Sequence, residues 1–252
     1  MNFEGKRVLI TGGSRGIGKA CAQAFAERGA KVAINYLHNA EAAKETQATL
    51  KGGPHILVQA DVSNPALIEG MIVETVKGLG GLDIVVNNAG ISQVHPIDKV
   101  SYEEWQDTWQ LILSVNLVAP ANVIYWASQF MRANGGGRIV NVSSRGAFRG
   151  EPEMPAYGAS KAGLNAMTQS LAQKLATENI YLGVVAPGFV ETDMAASKLS
   201  GPQGDFIRNQ SPLGRVAQPE EVAYAVIFLA AEESRFSTGA IIDVNGASYL
   251  RG

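Results

Sequence analysis

Apolar residues recur along the 252-residue chain in two alternating patterns. Short runs rich in Val, Ile, Leu and Ala occupy residues 6–11, 30–36, 56–60, 82–86, 138–142, 180–185 and 239–244. Runs of this kind predict strands covered on both faces. Between them lie segments with helical spacing at 19–28, 40–50, 65–78, 102–131, 157–177 and 222–231. In the fourth of these, Trp105, Trp109, Leu113, Asn116 and Leu117 fall at helical intervals, and Pro120 predicts a bend or break. Asn116 stands out as an amide in an apolar run, where a buried polar group needs partners.

Strand and helix alternate throughout, with no linker-like boundary and no repeat. The expectation is an α/β fold over residues 1–252, with one parallel sheet flanked by helices on both faces. In such sheets ligands lie at the carboxyl ends of the strands. Residues 195–212, rich in Gly, Ser and Pro, show little apolar periodicity and predict a substrate lid within about 190–215.

Composition narrows the function classes. A net charge of −2 lacks the basic excess of a nucleic-acid binder. The one cysteine, Cys21, lies among Ala20, Ala22 and Ala24 and reads as a small core residue. It has no partner for a disulfide, and no Cys/His cluster suggests a metal. Val8-Leu9-Ile10 is too short for a signal peptide and no 18-residue apolar run follows, so the expected address is the cytoplasm rather than a membrane.

The candidate chemistry collects at the predicted strand ends. After the first strand comes Gly12-Gly13-Ser14-Arg15-Gly16-Ile17-Gly18, then a helix. A glycine turn opening a helix leaves unpaired N–H groups aimed at an anion such as a pyrophosphate. The second strand ends in Asn35-Tyr36-Leu37-His38, without the carboxylate that holds the ribose hydroxyls of NAD(H). With Arg15 placed to face the same ribose, NADP(H) is favoured over NAD(H). Asp61-Val62 follows the third strand, near an adenine amino group, and Asn87-Asn88-Ala89-Gly90 ends the fourth. Pro187-Gly188 ends the sixth, running on through Val190 to Thr192.

The fifth strand leads to Ser143-Ser144, and a helix beyond it carries Tyr157 and Lys161, four apart and so on one face. A phenol ionises near pH 10, and an ammonium beside it would lower that value. A serine hydroxyl could orient a carbonyl oxygen toward this phenol, which would make a proton donor for a carbonyl under reduction. The intervening stretch holds Arg145, Arg149, Glu151 and Glu153. An arginine there could meet an anionic substrate group; a solvated loop or subunit contact is the alternative.

Over essentially its whole length the chain resembles the short-chain dehydrogenase/reductases. The resemblance rests on residues 11–18, Asp61-Val62, residues 87–90, Asn116, Ser144, Tyr157 with Lys161, Pro187-Gly188 and Thr192. The thirteen-residue gap to Tyr157 selects Ser144 over Ser143. The resemblance implies a single Rossmann-like domain with a doubly wound sheet, and usually a homotetramer. Tyr157 would be the general acid/base and Ser144 would polarise the carbonyl. Lys161 would lower the phenol's pKa and bind the nicotinamide ribose, and Asn116 would hold a proton-relaying water. Hydride would pass from the nicotinamide to the carbonyl carbon.

Within the family, residues 2–6 and 185–194 are most similar to the 3-oxoacyl-(acyl-carrier-protein) reductases. Where those enzymes often carry basic residues for an acidic carrier, this chain has Asn134-Gly135-Gly136 and Glu178-Asn179, and Gly246-Ala247 replaces a Gly-Gly. A carrier-bound thioester, a CoA thioester and a small free ketone or alcohol all remain open as substrates. A cofactor-binding sensor without chemistry is the reading from another class.

Overall fold

A computed structural model describes residues 1–251, without the side chains of Met194, Ser197 and Lys198. Its strands are β1 (Arg7–Ile10), β2 (Lys31–Tyr36), β3 (Ile56–Gln59), β4 (Ile84–Asn87), β5 (Gly137–Val142), β6 (Ile180–Pro187) and β7 (Ile241–Val244). They form one seven-stranded sheet in the order β3-β2-β1-β4-β5-β6-β7. Every pairing is parallel. The order reverses between β1 and β4, and a crevice opens at the carboxyl ends of the strands at such a switch.

The connecting helices are α1 (Gly16–Ala26), α2 (Ala40–Ala48), α3 (Pro65–Leu79), α4 (Tyr102–Leu113), α5 (Ala119–Ala133), α6 (Gly146–Arg149), α7 (Pro155–Leu175), α8 (Asp193–Ser200), α9 (Gly204–Arg208) and α10 (Pro219–Ala230). Successive strand residues feed opposite layers, as the period of two requires. On β1, Val8 and Ile10 pack with Phe25 of α1 and Val222 and Val226 of α10. Leu9 packs on the other face with Ile68 and Met71 of α3 and Ile124 of α5. Helices on both sides explain why the strands read as unbroken apolar runs.

The interruption expected at Pro120 is present as a π-helical turn, Ser114–Val118, and Pro120 follows it as the second residue of α5. The continuous helical segment Tyr102–Ala133 is long and apolar enough to cross a membrane by length and composition, contrary to the expectation that no such stretch exists. Its apolar face is taken up by the sheet and α3, which gives that hydrophobicity a use inside the fold.

Residues 193–208 are not the bare loop anticipated but the short helices α8 and α9. A satellite core of Ala195, Leu199, Ile207 and Val216, with Phe189 against it, holds them together. Four residues are too few to register as periodicity. A parallel bridge between Val190 and Ala217 closes the base of this segment. Glu191 N donates to Ala217 O at 2.9 Å, and Ala217 N to Phe189 O at 3.0 Å.

Candidate active site

The glycine turn joins β1 to α1, and its conformation is dictated by crowding. Gly12 and Gly16 take φ of +60° and +53°, a region that costs other residues energy. A Cβ on Gly18 would lie 2.3 Å from Gly12 O and 2.7 Å from Asn88 Nδ2, so only glycine fits. Arg15 occupies the N-cap of α1 without a side-chain hydrogen bond, and no acidic residue lies in the first turn. The helix start therefore keeps backbone donors for an outside anion. The residues fit a dinucleotide pyrophosphate on that ground.

The turn is clamped from β4. Asn88 Nδ2 donates to Thr11 O at 3.0 Å and Gly12 O at 2.9 Å, while Thr11 Oγ1 accepts from Asn88 N at 3.0 Å and Ala89 N at 3.1 Å. Thr11 has this positioning role although the sequence suggested none for it; its only signal was membership of the motif. Asn35 closes the other side. Its buried amide donates to Val58 O and Ala60 O at 3.3 and 3.1 Å and accepts from Gly12 N at 3.3 Å, leaving half-buried Tyr36 at the strand end. Asn35 thus ties three strand ends together through its side chain. Thr46 Oγ1 donates to Ser14 O at 2.8 Å, and Ile17 packs into the core beneath.

Arg15 is 71% exposed, with Asp193 of α8 at 3.9 Å. Asp61 accepts from Ser63 N and Oγ at 2.9 and 2.7 Å, making the turn into α3, and Val62 is buried beside it. A Cβ on Gly16 would lie 3.2 Å from Thr192 Cγ2, which puts the β6 loop across from the glycine turn. Gly188 N donates to Val244 O at 2.9 Å, and buried Val190 anchors the same loop.

The second group lies around the ends of β4 and β5. Gly90 is the junction: a Cβ there would be 3.3 Å from Asn116 Oδ1 and 3.4 Å from Lys161 Nζ. Asn116, in the π-helical turn, accepts from Ile91 N at 2.9 Å and donates to Ile91 O at 2.9 Å and Ser160 Oγ at 3.2 Å. Ser160 Oγ donates to Tyr157 O at 2.8 Å. Lys161 Nζ donates to Val142 O at 2.9 Å. The two serines diverge. Ser143 Oγ donates to Lys161 O at 3.3 Å, away from the site. Ser144 Oγ accepts from Gly146 N at 3.0 Å, and its hydroxyl is hydrogen-bonded to the Tyr157 phenol.

Electrostatics differ from expectation in one respect. Burial pushes the Tyr157 phenol up rather than down; the Ser144 hydrogen bond opposes this, and the negative charge of Glu151 adds to it. The anticipated lowering by Lys161 does not win. Its nitrogen is committed to Val142 O and lies 6.0 Å from the tyrosine ring centroid. Burial also lowers Lys161 itself, to about 8. Both shifts follow from desolvation, which disfavours whichever form is charged.

His95 is a further contributor with no sequence signal. Buried beside Trp105, it accepts from Ala156 N through Nε2 at 3.2 Å, and its Nδ1 meets Gln93 O at 2.8 Å. It thereby holds the first turn of α7, one residue before Tyr157.

A glycine turn, a β4 loop and a Ser–Tyr–Lys cluster at the switch of a doubly wound sheet describe a dinucleotide-dependent oxidoreductase of the short-chain type. The family model described as Enoyl-(Acyl carrier protein) reductase matches residues 12–247. An "Uncharacterized oxidoreductase" of Thermotoga maritima is 40% identical, over 98% of this chain and 99% of that protein. The 3-oxoacyl-(acyl-carrier-protein) reductase FabG of Vibrio cholerae is 38% identical, over 99% of this chain and all of that one (100%). Among solved structures, a short chain dehydrogenase from Burkholderia cenocepacia in complex with NADP has a TM-score of 0.89 at 34% identity, covering 98% of this chain and 99% of that one. The chain belongs to the short-chain dehydrogenase/reductase family and is similar to its FabG members.

Proposed function

We propose that this oxidoreductase reduces a ketone to a secondary alcohol with NADP(H), using Tyr157 as the proton donor. The observation that carries the reading is the meeting of the Ser144 hydroxyl, the Tyr157 phenol and the buried Lys161 amine beside Gly90, across the sheet switch from the glycine turn. When bound, the nicotinamide dinucleotide supplies the hydride, and the phenol supplies the proton that completes the alcohol.

The phosphates would be held by the turn at Gly12, Ser14, Gly16, Ile17 and Gly18, with Arg15 on the ribose side. Asp61-Val62, Asn88-Ala89-Gly90 and the loop from Pro187 to Thr192 would line the rest. Tyr157 enters the reaction protonated because burial holds its pKa above the ordinary value. Ser144 orients the carbonyl oxygen toward that proton. Lys161, with a pKa near 8, is poised to return a proton at neutral pH. Asn116 and Ser160 set the backbone around both.

NADP(H) rather than NAD(H) is supported by the missing carboxylate after β2, the exposed Arg15 at the head of α1 and the NADP complex of the Burkholderia relative. The FabG relatives support a 3-oxoacyl thioester. A smaller free ketone is favoured by one observation: Glu178, at a position where the carrier-dependent reductases often have a basic residue, is acidic here and pairs with Arg132 at 2.5 Å. We place the enzyme in the cytoplasm as a homotetramer.

The test is NADPH oxidation with a panel of ketones and thioesters. Tyr157→Phe should lower kcat by about 10²–10⁴-fold, the usual worth of a positioned general acid, with cofactor affinity retained. Turnover by Tyr157→Phe equal to that of the unaltered enzyme would remove the proposal.

A further inference from the structure

We propose that Arg145 binds an anionic group of the substrate, and that the ketone this enzyme serves carries a carboxylate. The inference rests on carbonyl reduction at Tyr157 and adds the substrate class. Among the described residues, two Lys or Arg side chains are buried: Lys161, 4% exposed, and Arg145, 3% exposed. The first belongs to the proton-handling cluster. The second has no role in that cluster, yet it directly follows Ser144, and its backbone N–H is fixed on Pro187 O at 2.8 Å.

A guanidinium removed from water needs a counter-charge or a full set of acceptors. Arg145 has neither. Nη1 donates to Ser248 Oγ and Nη2 to Gln210 Oε1, both uncharged, and the cation lies 5.1 Å from the centroid of the Phe189 ring. No carboxylate among the described residues approaches it within 4.0 Å. The burial is felt: the guanidinium pKa is lowered to about 10, with Arg149 adding to the shift and Glu151 opposing it from a distance. Neighbouring arginines are matched. Arg215 grips Glu221 with two bonds of 2.7 and 2.8 Å, Arg251 holds Asp243 at 2.7 Å, and Arg149 meets Glu151 at 3.4 Å. Of the two arginines in the charged insert, Arg149 has its carboxylate and Arg145 lacks one.

Arg145 faces a cavity of about 130 Å³ lined also by Phe189, Ser211, Asn245 and Ser248; the two carboxylates in its wall, Glu221 and Asp243, are already paired with Arg215 and Arg251. The two present acceptors come from separate segments: Gln210 follows α9, and Ser248 follows a turn in which both Gly246 and Ala247 have positive φ. A carboxylate would take the planar fork bidentately, as two neutral acceptors from separate segments do not.

The experiment compares shape-matched pairs, levulinate with methyl levulinate and acetoacetate with methyl acetoacetate, in the intact enzyme with NADPH. The unaltered enzyme should favour the free acid. Arg145→Gln should lower the acid-to-ester ratio of kcat/KM by about 10–100-fold, mostly through KM, the scale of a lost charge-assisted contact. Arg145→Lys should retain part of the preference, and thermal melts of both variants establish that they are folded. A readout without turnover accompanies this: with NADPH replaced by NADP⁺, levulinate should raise the melting temperature of the unaltered enzyme and not that of Arg145→Gln. An acid-to-ester ratio unchanged in Arg145→Gln, or preference for the ester in the unaltered enzyme, overturns the inference while leaving carbonyl reduction intact. If no ketone is reduced, reduction fails, and the levulinate melt still decides anion binding on its own.

Discussion

Lys161 shows how one side chain couples stability to chemistry. Its folded pKa of about 8 lies below the ordinary 10.5, because its ammonium is buried, with Val142 O as its hydrogen-bond partner among the described residues. Below pH 8 the folded state carries a buried charge that the unfolded chain solvates freely. Between about pH 8 and 10.5 the unfolded chain binds the extra proton, so stability attributable to this group rises with pH through that window. The full difference is about 3 kcal/mol at 1.36 kcal/mol per pKa unit. Lys161→Met should therefore be inactive yet gain stability relative to the unaltered protein at pH 7, and the gap should shrink toward pH 10; urea melts at a series of pH values measure it. A gap that is flat with pH would refute the buried ammonium. Cys21 illustrates the opposite fate. Burial pushes its thiol to about 12, so iodoacetamide should label it only after denaturant is added.

At the scale of elements, the π-helical turn between α4 and α5 is the feature on which the site depends. It carries Asn116 inward, where both ends of the amide bond the backbone of Ile91 just after the β4 loop. Asn116→Leu keeps a comparable volume but strands the Ile91 N–H and C=O. The expected loss is about 2 kcal/mol or more of stability, since each unpaired buried group costs about 1–3 kcal/mol. Denaturant titration checks the loss. A fall in kcat beyond the fraction unfolded would tie the turn to positioning Lys161 and Tyr157. The His95 bond to Ala156 does similar work at the other end, fixing where α7 begins.

For the molecule as a whole, the glycine turn meets the β4 loop through Asn88 and the β6 loop at Thr192, parts of the chain that are distant in sequence, so a cofactor that bridges them should stabilise the entire fold. At 100 times its dissociation constant, NADPH should add about 2.7 kcal/mol, a rise of roughly 5–10 °C in melting temperature for a chain of this size. NADH at the same concentration should give less, and Arg15→Ala should narrow the difference between the two. Equal shifts for both cofactors would count against the assignment of Arg15.

The order of strands and helices was legible in the chain because each strand is buried on both faces and each helix on one, which leaves unmistakable periods of apolarity. The glycine turn was legible because steric exclusion at Gly18 admits one residue type, and the Tyr157–Lys161 pair because helical spacing is a local property. What local pattern could not convey was anything set by the sum of surroundings. The direction of the Tyr157 shift depends on desolvation, which no spacing encodes. The fate of Arg145 and Arg149 was undecidable in sequence, since both lie in the same charged stretch, and only packing from residues 210 and 248 distinguishes the buried cation from the paired one. His95 gave no local signal at all, because its partner is 61 residues away. The chain alone determined the fold and the candidate reacting groups; tertiary structure decided the direction in which their pKa values move and which cation was left without a carboxylate, because both depend on contacts between segments remote in sequence.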